Sequence, residues 1–125
     1  MTPPLRPPTS QIIQAYGNGG FTISGVRHDG PVVVLRNRTL AWAPPRDLAA
    51  LTVEDFAAVL DPAAEADIVL LGCGPRAVQV SQALRAELRA AGVTVEVMDS
   101  GAACRTFNLL QMEGRRVAAM LIAIP

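Results

Sequence analysis

The sequence predicts an α/β fold: a mixed central sheet carrying a βαβ unit, joined to an N-terminal antiparallel β layer. Three observations predict it. A continuous apolar run at 68–71 is followed by the turn Gly72-Cys73-Gly74-Pro75, an amphipathic stretch and the alternating Val93, Val95 and Val97. That order of strand, turn, helix and strand is the pattern of parallel pairing. The first 43 residues instead hold short β-branched or alternating segments separated by Gly, Asn and Asp turn signals. Half of the 125 residues are apolar, enough for a packed core.

Pro3, Pro4, Pro7 and Pro8 make residues 1–10 a flexible proline-rich arm, with 11–125 as one domain. The arm is not a secretory signal, because no apolar core follows a charged start. Ile12, Ile13 and Tyr16 read as a strand broken by Gly17-Asn18-Gly19-Gly20. Phe21-Thr22-Ile23 alternates and reads as a half-buried strand. Asp29-Gly30 is a turn signal, 32–35 is a β-branched strand, and Asn37-Arg38 turns the chain into 39–42. Pro44-Pro45 ends this layer. Thr52 is placed to cap a helix over 53–60, with Asp55 at the capping-box position, and Pro62 stops it.

The apolar run at 68–71 fits a strand covered on both faces. Pro75 suits a first helical position, so a helix is expected over 76–91, about 24 Å long. Its buried stripe is Ala77, Val80, Leu84, Leu88 and Ala91, and Gly92 caps it. A Ser-Gly step then opens a helix over 101–112, which Gly114 ends, and 117–124 is a last apolar strand.

The 11 basic residues, all Arg, balance 11 acidic ones. Nothing predicts attraction to nucleic acid or anionic lipid. Without Lys, Schiff-base catalysis and a P-loop are excluded. Cys73 and Cys104 show no metal-ligand spacing, and His28 is the single histidine, so no metal site is expected. The apolar runs are too short to span a membrane. A cytoplasmic chain with free thiols, no cofactor and no complete catalytic set is the expectation. Cys104 would need a base beside it to act as a nucleophile, and His28 lies far away in a turn-like stretch.

Two loops carry the candidate ligand- or partner-binding residues. Gly72, Cys73 and Gly74 begin the pattern G-x-G-x-x-A between a strand and a helix, where backbone amides can meet a phosphate. The same residues also suit a tight turn with close helix packing. Asp99 and Ser100 stand at a helix start, where they can cap the helix or hold an anion. Arg105, Thr106 and Asn108 follow; Arg105 and Asn108 lie three apart on one helix face. They can recognise an anionic group, or Arg105 can pair with Asp99 or Glu113. Trp42, beside Pro44-Pro45, is expected to anchor the β layer to the core.

Ile13-x-x-Tyr16-Gly17-x-Gly19 before Phe21, then Trp42, then Leu71-Gly72-Cys73-Gly74, resemble the Mth938-like family of small domains of unknown function. The most specific block is Glu96-x-Met98-Asp99-x-x-x-Ala103-x-Arg105-Thr106-x-Asn108-x-Leu110-x-x-Glu113-x-Arg115. Cys73 and Ser100 stand where Thr is usual, and Phe107 where Tyr is common, so no role for a phenol at 107 carries over. The resemblance implies a three-layer α/β fold with a mixed sheet and no transferable catalytic residues. The family includes a mitochondrial complex I assembly factor, which implies a binding or assembly module with protein partners. The alternative is a small-molecule protein with an anionic or nucleotide-like ligand held at the 72–76 and 99–108 loops.

Overall fold

The structure is a computed structural model that describes residues 11–125; the proline-rich segment 1–10 lies outside the described residues. Strands β1 (Ile13–Gly17), β2 (Gly20–Ile23) and β3 (Val26–Asp29) form an antiparallel three-stranded sheet. A second, mixed sheet holds β4 (Val32–Val34), β5 (Thr39–Ala41), β6 (Ile68–Gly72), β7 (Thr94–Met98) and β8 (Val117–Leu121) in the order β5-β4-β8-β6-β7. Helices α1 (Ala57–Leu60), α2 (Gln82–Ala90) and α3 (Ser100–Met112) complete the fold, with 3-10 turns at Leu48–Ala50, Val53–Phe56 and Pro62–Ala64.

The N-terminal segments therefore do not make one β layer. Val32, Val33, Val34 and Leu35 are all buried, and a strand apolar on both sides needs cover on both sides. It finds that cover inside the larger sheet, antiparallel to β8. Val33 and Leu35 join the core under α2, while Val32 and Val34 join the core under α3. His28 is not in a turn either: it sits on β3 opposite Phe21 of β2.

β6 pairs in parallel with β7 on one side and with β8 on the other, so the βαβ unit forms as the sequence predicts. α2 buries Leu84 and Leu88 on one face of the large sheet, and α3 buries Ala103, Cys104 and Phe107 on the other. Both helices end alike. Gly92 (φ +95°) donates to the Arg89 carbonyl and Val93 to the Leu88 carbonyl; Gly114 (φ +78°) and Arg115 repeat this with Gln111 and Leu110. Only glycine enters that left-handed step without strain, so Gly92 and Gly114 fix where the last two strands begin.

Helix 76–91 is shorter than expected. Residues 75–81 are not helical, and Ser81 caps α2 by accepting the Leu84 amide at 3.1 Å. Val78 and Val80 are β-branched, poor helix formers, and burying Val80 in an extended segment replaces a helical turn. Ala77 and Ala91 are consequently exposed rather than part of a buried stripe. Pro62 opens a 3-10 turn capped by Asp61, and the capping-box carboxylate of Asp55 accepts the Thr52 amide at 2.9 Å.

The small sheet is held to α3 by a shared apolar cluster of Ile13, Phe21, Ile23 and Phe107, and by side-chain hydrogen bonds from Asn108 and Arg105. Asn108 accepts the Ile13 amide through Oδ1 (2.8 Å) and donates to the Ile13 carbonyl through Nδ2 (2.9 Å). Asn108→Ala should cost about 2 kcal/mol, because two half-buried backbone groups lose their partner together. Denaturant unfolding reads the loss. Hydrogen exchange should then speed up at the Ile13 amide while the amides of β6 and β8 stay protected.

Candidate functional site

The carboxyl ends of β6, β7 and β8 converge. Gly72, the last residue of β6, lies between Met98 of β7 and Leu121 of β8. A Cβ on Gly72 would come within 3.0 Å of the Ser100 Cα and 3.1 Å of the Ala103 Cβ, so the start of α3 presses directly on the strand end. Around this contact the two predicted loops are bonded to each other. Cys73 N–H donates to the Met98 carbonyl (2.9 Å), Ser100 N–H to the Gly74 carbonyl (2.8 Å), and Gly74 N–H to Ser100 Oγ (2.8 Å). Ser100 Oγ donates onward to the Ile122 carbonyl at 2.6 Å.

Of the pair expected at the helix start, Asp99 alone is the cap: its Oδ1 accepts the Ala102 amide at 2.8 Å. Ser100 is wholly buried and joins the three strand ends. The loop after Gly74 has no helix start of its own, because α2 begins at Gln82. The G-x-G-x-x-A spacing therefore does not place a helix N-terminus behind residues 72–74.

Arg105 and Asn108 do lie on one side of α3, Asn108 against β1 and Arg105 at its exposed outer edge. Asn108 is engaged by Ile13. Arg105, exposed, donates from Nη1 to Tyr16 Oη at 3.2 Å. The Tyr16 ring lies over Gly101, where a Cβ would stand 2.7 Å from the phenolic oxygen. None of the described ion pairs includes Arg105, so the alternative of a pairing with Asp99 or Glu113 is not formed. Tyr16 belongs to this cluster through a contact spanning 89 residues. Its place in the motif Tyr16-Gly17-x-Gly19 was the available signal, but spacing within that motif says nothing about α3.

Two cavities flank the joined loops. One, about 670 Å³, is lined by Trp42, Cys73, Val78 and Ile122 together with the 43–48 loop. The other, about 490 Å³, is a groove between α3 and the edge strand β7, lined by Leu70, Met98, Thr106, Leu110 and Arg115 among others. Neither is lined by residues of both predicted loops. Trp42 does anchor its segment: its indole N–H donates to the Asp55 carbonyl at 3.1 Å.

Both thiols are free and buried. Burial pushes the Cys104 thiol up to about 12, against the opposing attraction of Arg105 and with a smaller push from Asp99. Burial also raises Cys73, partly offset by a hydrogen bond from the Val78 backbone. A thiol held protonated is a poor nucleophile. Among the described residues no group of three or more His, Cys, Asp or Glu is placed to hold a metal ion, and no helix is long and apolar enough to cross a membrane.

This architecture, a mixed sheet with α2 on one face and α3 with a small sheet on the other, is that of the Mth938-like domains. The family described as "Protein of unknown function (DUF498/DUF598)" matches residues 13–122, and the chain belongs to it. A Mth938-like domain of Bordetella pertussis superimposes with a TM-score of 0.78 at 27% identity, over 98% of this chain and 90% of that one. A Bartonella henselae protein, described as an outer membrane protein, superimposes with a TM-score of 0.82 at 32% identity, over 94% and 98%. In sequence, the chain is 36% identical over 122 residues to mouse NADH dehydrogenase (ubiquinone) 1 alpha subcomplex assembly factor 3, covering 94% of this chain and 63% of the mouse protein.

Ser100→Ala should leave the Gly74 amide and the Ile122 carbonyl without this partner in a buried place, costing about 2–3 kcal/mol; equilibrium unfolding in urea measures it. A second expectation concerns alkaline pH. The folded chain keeps the Cys104 proton above its ordinary value of 9.0, up to about 12. The unfolded chain releases that proton first, so it binds fewer protons across this window and stability falls as pH rises through it. Melting temperatures followed from pH 8 to pH 12, as a rough span of that window, should decline less steeply in Cys104→Ala than in the unaltered chain.

Proposed function

We propose that this chain is a binding and assembly module that works by protein contacts rather than by catalysis. The observation that carries this reading is the outward face of α3. Arg105, Leu109 and Met112 recur at helical spacing along it, and Leu109 and Met112 are 57% and 52% exposed. Beside this stripe runs the groove floored by Leu70, Met98 and Leu110, with Thr106 on its helix side and Arg115 in its lining. Large apolar side chains that adjoin an apolar groove mark surfaces that partners cover. Arg115 and Glu96 stand together in the groove lining, which leaves Arg105 as the cation beside the stripe, so the partner that fits is chiefly apolar with an acidic group at the Arg105 end.

Within this reading Arg105 and Thr106 meet the partner directly. Gly72, Cys73, Gly74, Asp99, Ser100 and Asn108 act one step back: they fix the start of α3 and the strand ends that hold it. The name of the mouse relative supports a role in assembling a respiratory complex. A cytoplasmic location, with the partner at or near the membrane, fits an assembly role without a membrane-crossing helix.

Deletion of the gene from its native host should reduce fully assembled NADH dehydrogenase on native gels, and the unaltered gene should restore it. Leu109→Glu with Met112→Glu should fold with an unchanged melting temperature, since both side chains are exposed, yet restore less than a tenth of the assembled complex, an order-of-magnitude expectation for loss of a central apolar anchor. Full restoration by this double variant would place the contact elsewhere.

A further inference from the structure

The cavity beside Cys73 has no part in the assembly reading. It opens where β6 and β8 end, the end of an α/β sheet at which ligands bind. Its volume of about 670 Å³ lies in the range of small-molecule sites. It exists because residues 75–81 run wide instead of winding at once into α2, which leaves Val78 on one side and the 43–48 loop on the other.

The walls are largely apolar and stiff. Pro31, Pro44 and Pro45 carry fixed φ angles, and the Trp42 ring is held by its bond to the Asp55 carbonyl. Such a cavity is preformed, so a ligand loses little affinity to ordering the site. Flat faces of tryptophan and proline rings suit a flat apolar body. Two charged residues complete the lining. Asp47 is committed to its own turn, accepting the Ala49 amide at 2.9 Å. Arg46 takes part in none of the described ion pairs and is exposed beside the cavity. The site therefore offers an apolar slot with Arg46 beside it as a cation that is in none of the described ion pairs, while the Asp47 carboxylate keeps its charge and is turned to the Ala49 amide.

We propose that this cavity binds a flat, mostly apolar small molecule carrying a single anionic group, the body between Trp42, Val78 and the prolines and the anion on Arg46. The strand ends joined by Ser100 meet the cavity through Cys73 and Ile122, which line it.

Anilinonaphthalene sulfonate and its uncharged counterpart phenylnaphthylamine test this directly, because they differ in the anionic group. Trp42 is the single tryptophan of the chain, so quenching of its emission reports binding, and protection of Cys73, which lines the cavity, places the probe there. The sulfonate should bind at one saturable site, quench Trp42 and slow the alkylation of Cys73 by N-ethylmaleimide in a Cys104→Ala background. It should bind about tenfold more tightly than the neutral probe, the scale of one charge-assisted hydrogen bond. Arg46→Ala should remove that tenfold difference and leave the neutral probe unchanged. Equal affinity of the two probes for the unaltered chain overturns the anionic requirement. Saturable binding that leaves Cys73 unprotected overturns the site, as does the absence of binding. The Leu109→Glu, Met112→Glu variant should bind both probes normally, so failure here and failure of the assembly reading are separate results.

Discussion

One buried hydroxyl holds the middle of this molecule together. Ser100 Oγ accepts from the Gly74 amide and donates to the Ile122 carbonyl, while the Ser100 amide donates to the Gly74 carbonyl. Three chain segments that leave β6, β7 and β8 thus share a single residue. Each such bond contributes about 1 kcal/mol net, but leaving either backbone group unpaired in the interior costs more than the bond is worth. The geometry also demands Gly72, since any side chain there would push α3 off the strand end. The crevice in which an open α/β sheet usually receives a ligand is for this reason occupied by the protein itself. Among the described residues, space lies to the sides of this joint, over Trp42 and Val78 on one face and beside α3 on the other.

Two cores coexist in this chain of 125 residues. The large sheet separates them, and β4, β6 and β8 give side chains to both. On the α3 side the small sheet supplies what a second long helix would otherwise supply. Its strands are short, and its buried residues Ile13, Phe21 and Ile23 find their cover on the α3 side. Ile13, Phe21 and Ile23 provide the apolar contact, and Asn108 sets the register by holding both backbone groups of Ile13. α3 is consequently the central element of the fold even though it is not in the central layer.

Much of this order was legible in the sequence, and the reasons for the rest are physical. The run from 68 to 98 declares strand, helix and strand because parallel strands covered on both faces are continuously apolar and glycines mark the ends. The helix start was misplaced because Pro75 and the small residues at 72–74 satisfy local rules for one, while burial of Val80 is a tertiary demand that those rules do not contain. The buried valines 32–34 show that both sides of β4 are covered, but not that β8, more than 80 residues on, is the neighbour. The candidate residues divide in the same way. Spacing correctly puts Arg105 and Asn108 on one side of α3, yet what they bond to is β1, about 90 residues away in the chain. Asp99 as a cap is a local feature and was readable. Ser100 as a joint between three strand ends was not, since Ile122 has no local relation to it.

The distribution of exposed apolar surface argues that α3 is incomplete without something outside the chain. α2 and α3 each bury one face, but their outer faces differ in kind. Outward on α2 stand Gln82, Glu87 and Arg89 with alanines, a face that water solvates well. Outward on α3 stand Leu109 and Met112, followed by a groove with Met98 and Leu110 in its lining. Single exposed apolar residues are ordinary on any protein. Contiguous ones on the helix that organises the fold are costly to keep in water, and their replacement by polar residues would leave both cores intact. The edge strand β7 sharpens the contrast: Arg85 of α2 reaches round to the Val95 carbonyl at 3.0 Å and blunts the edge on its side. On the α3 side the described residues provide no such cover for the groove. A chain that protects one side of an edge strand and leaves the other apolar and open has a surface shaped for contact.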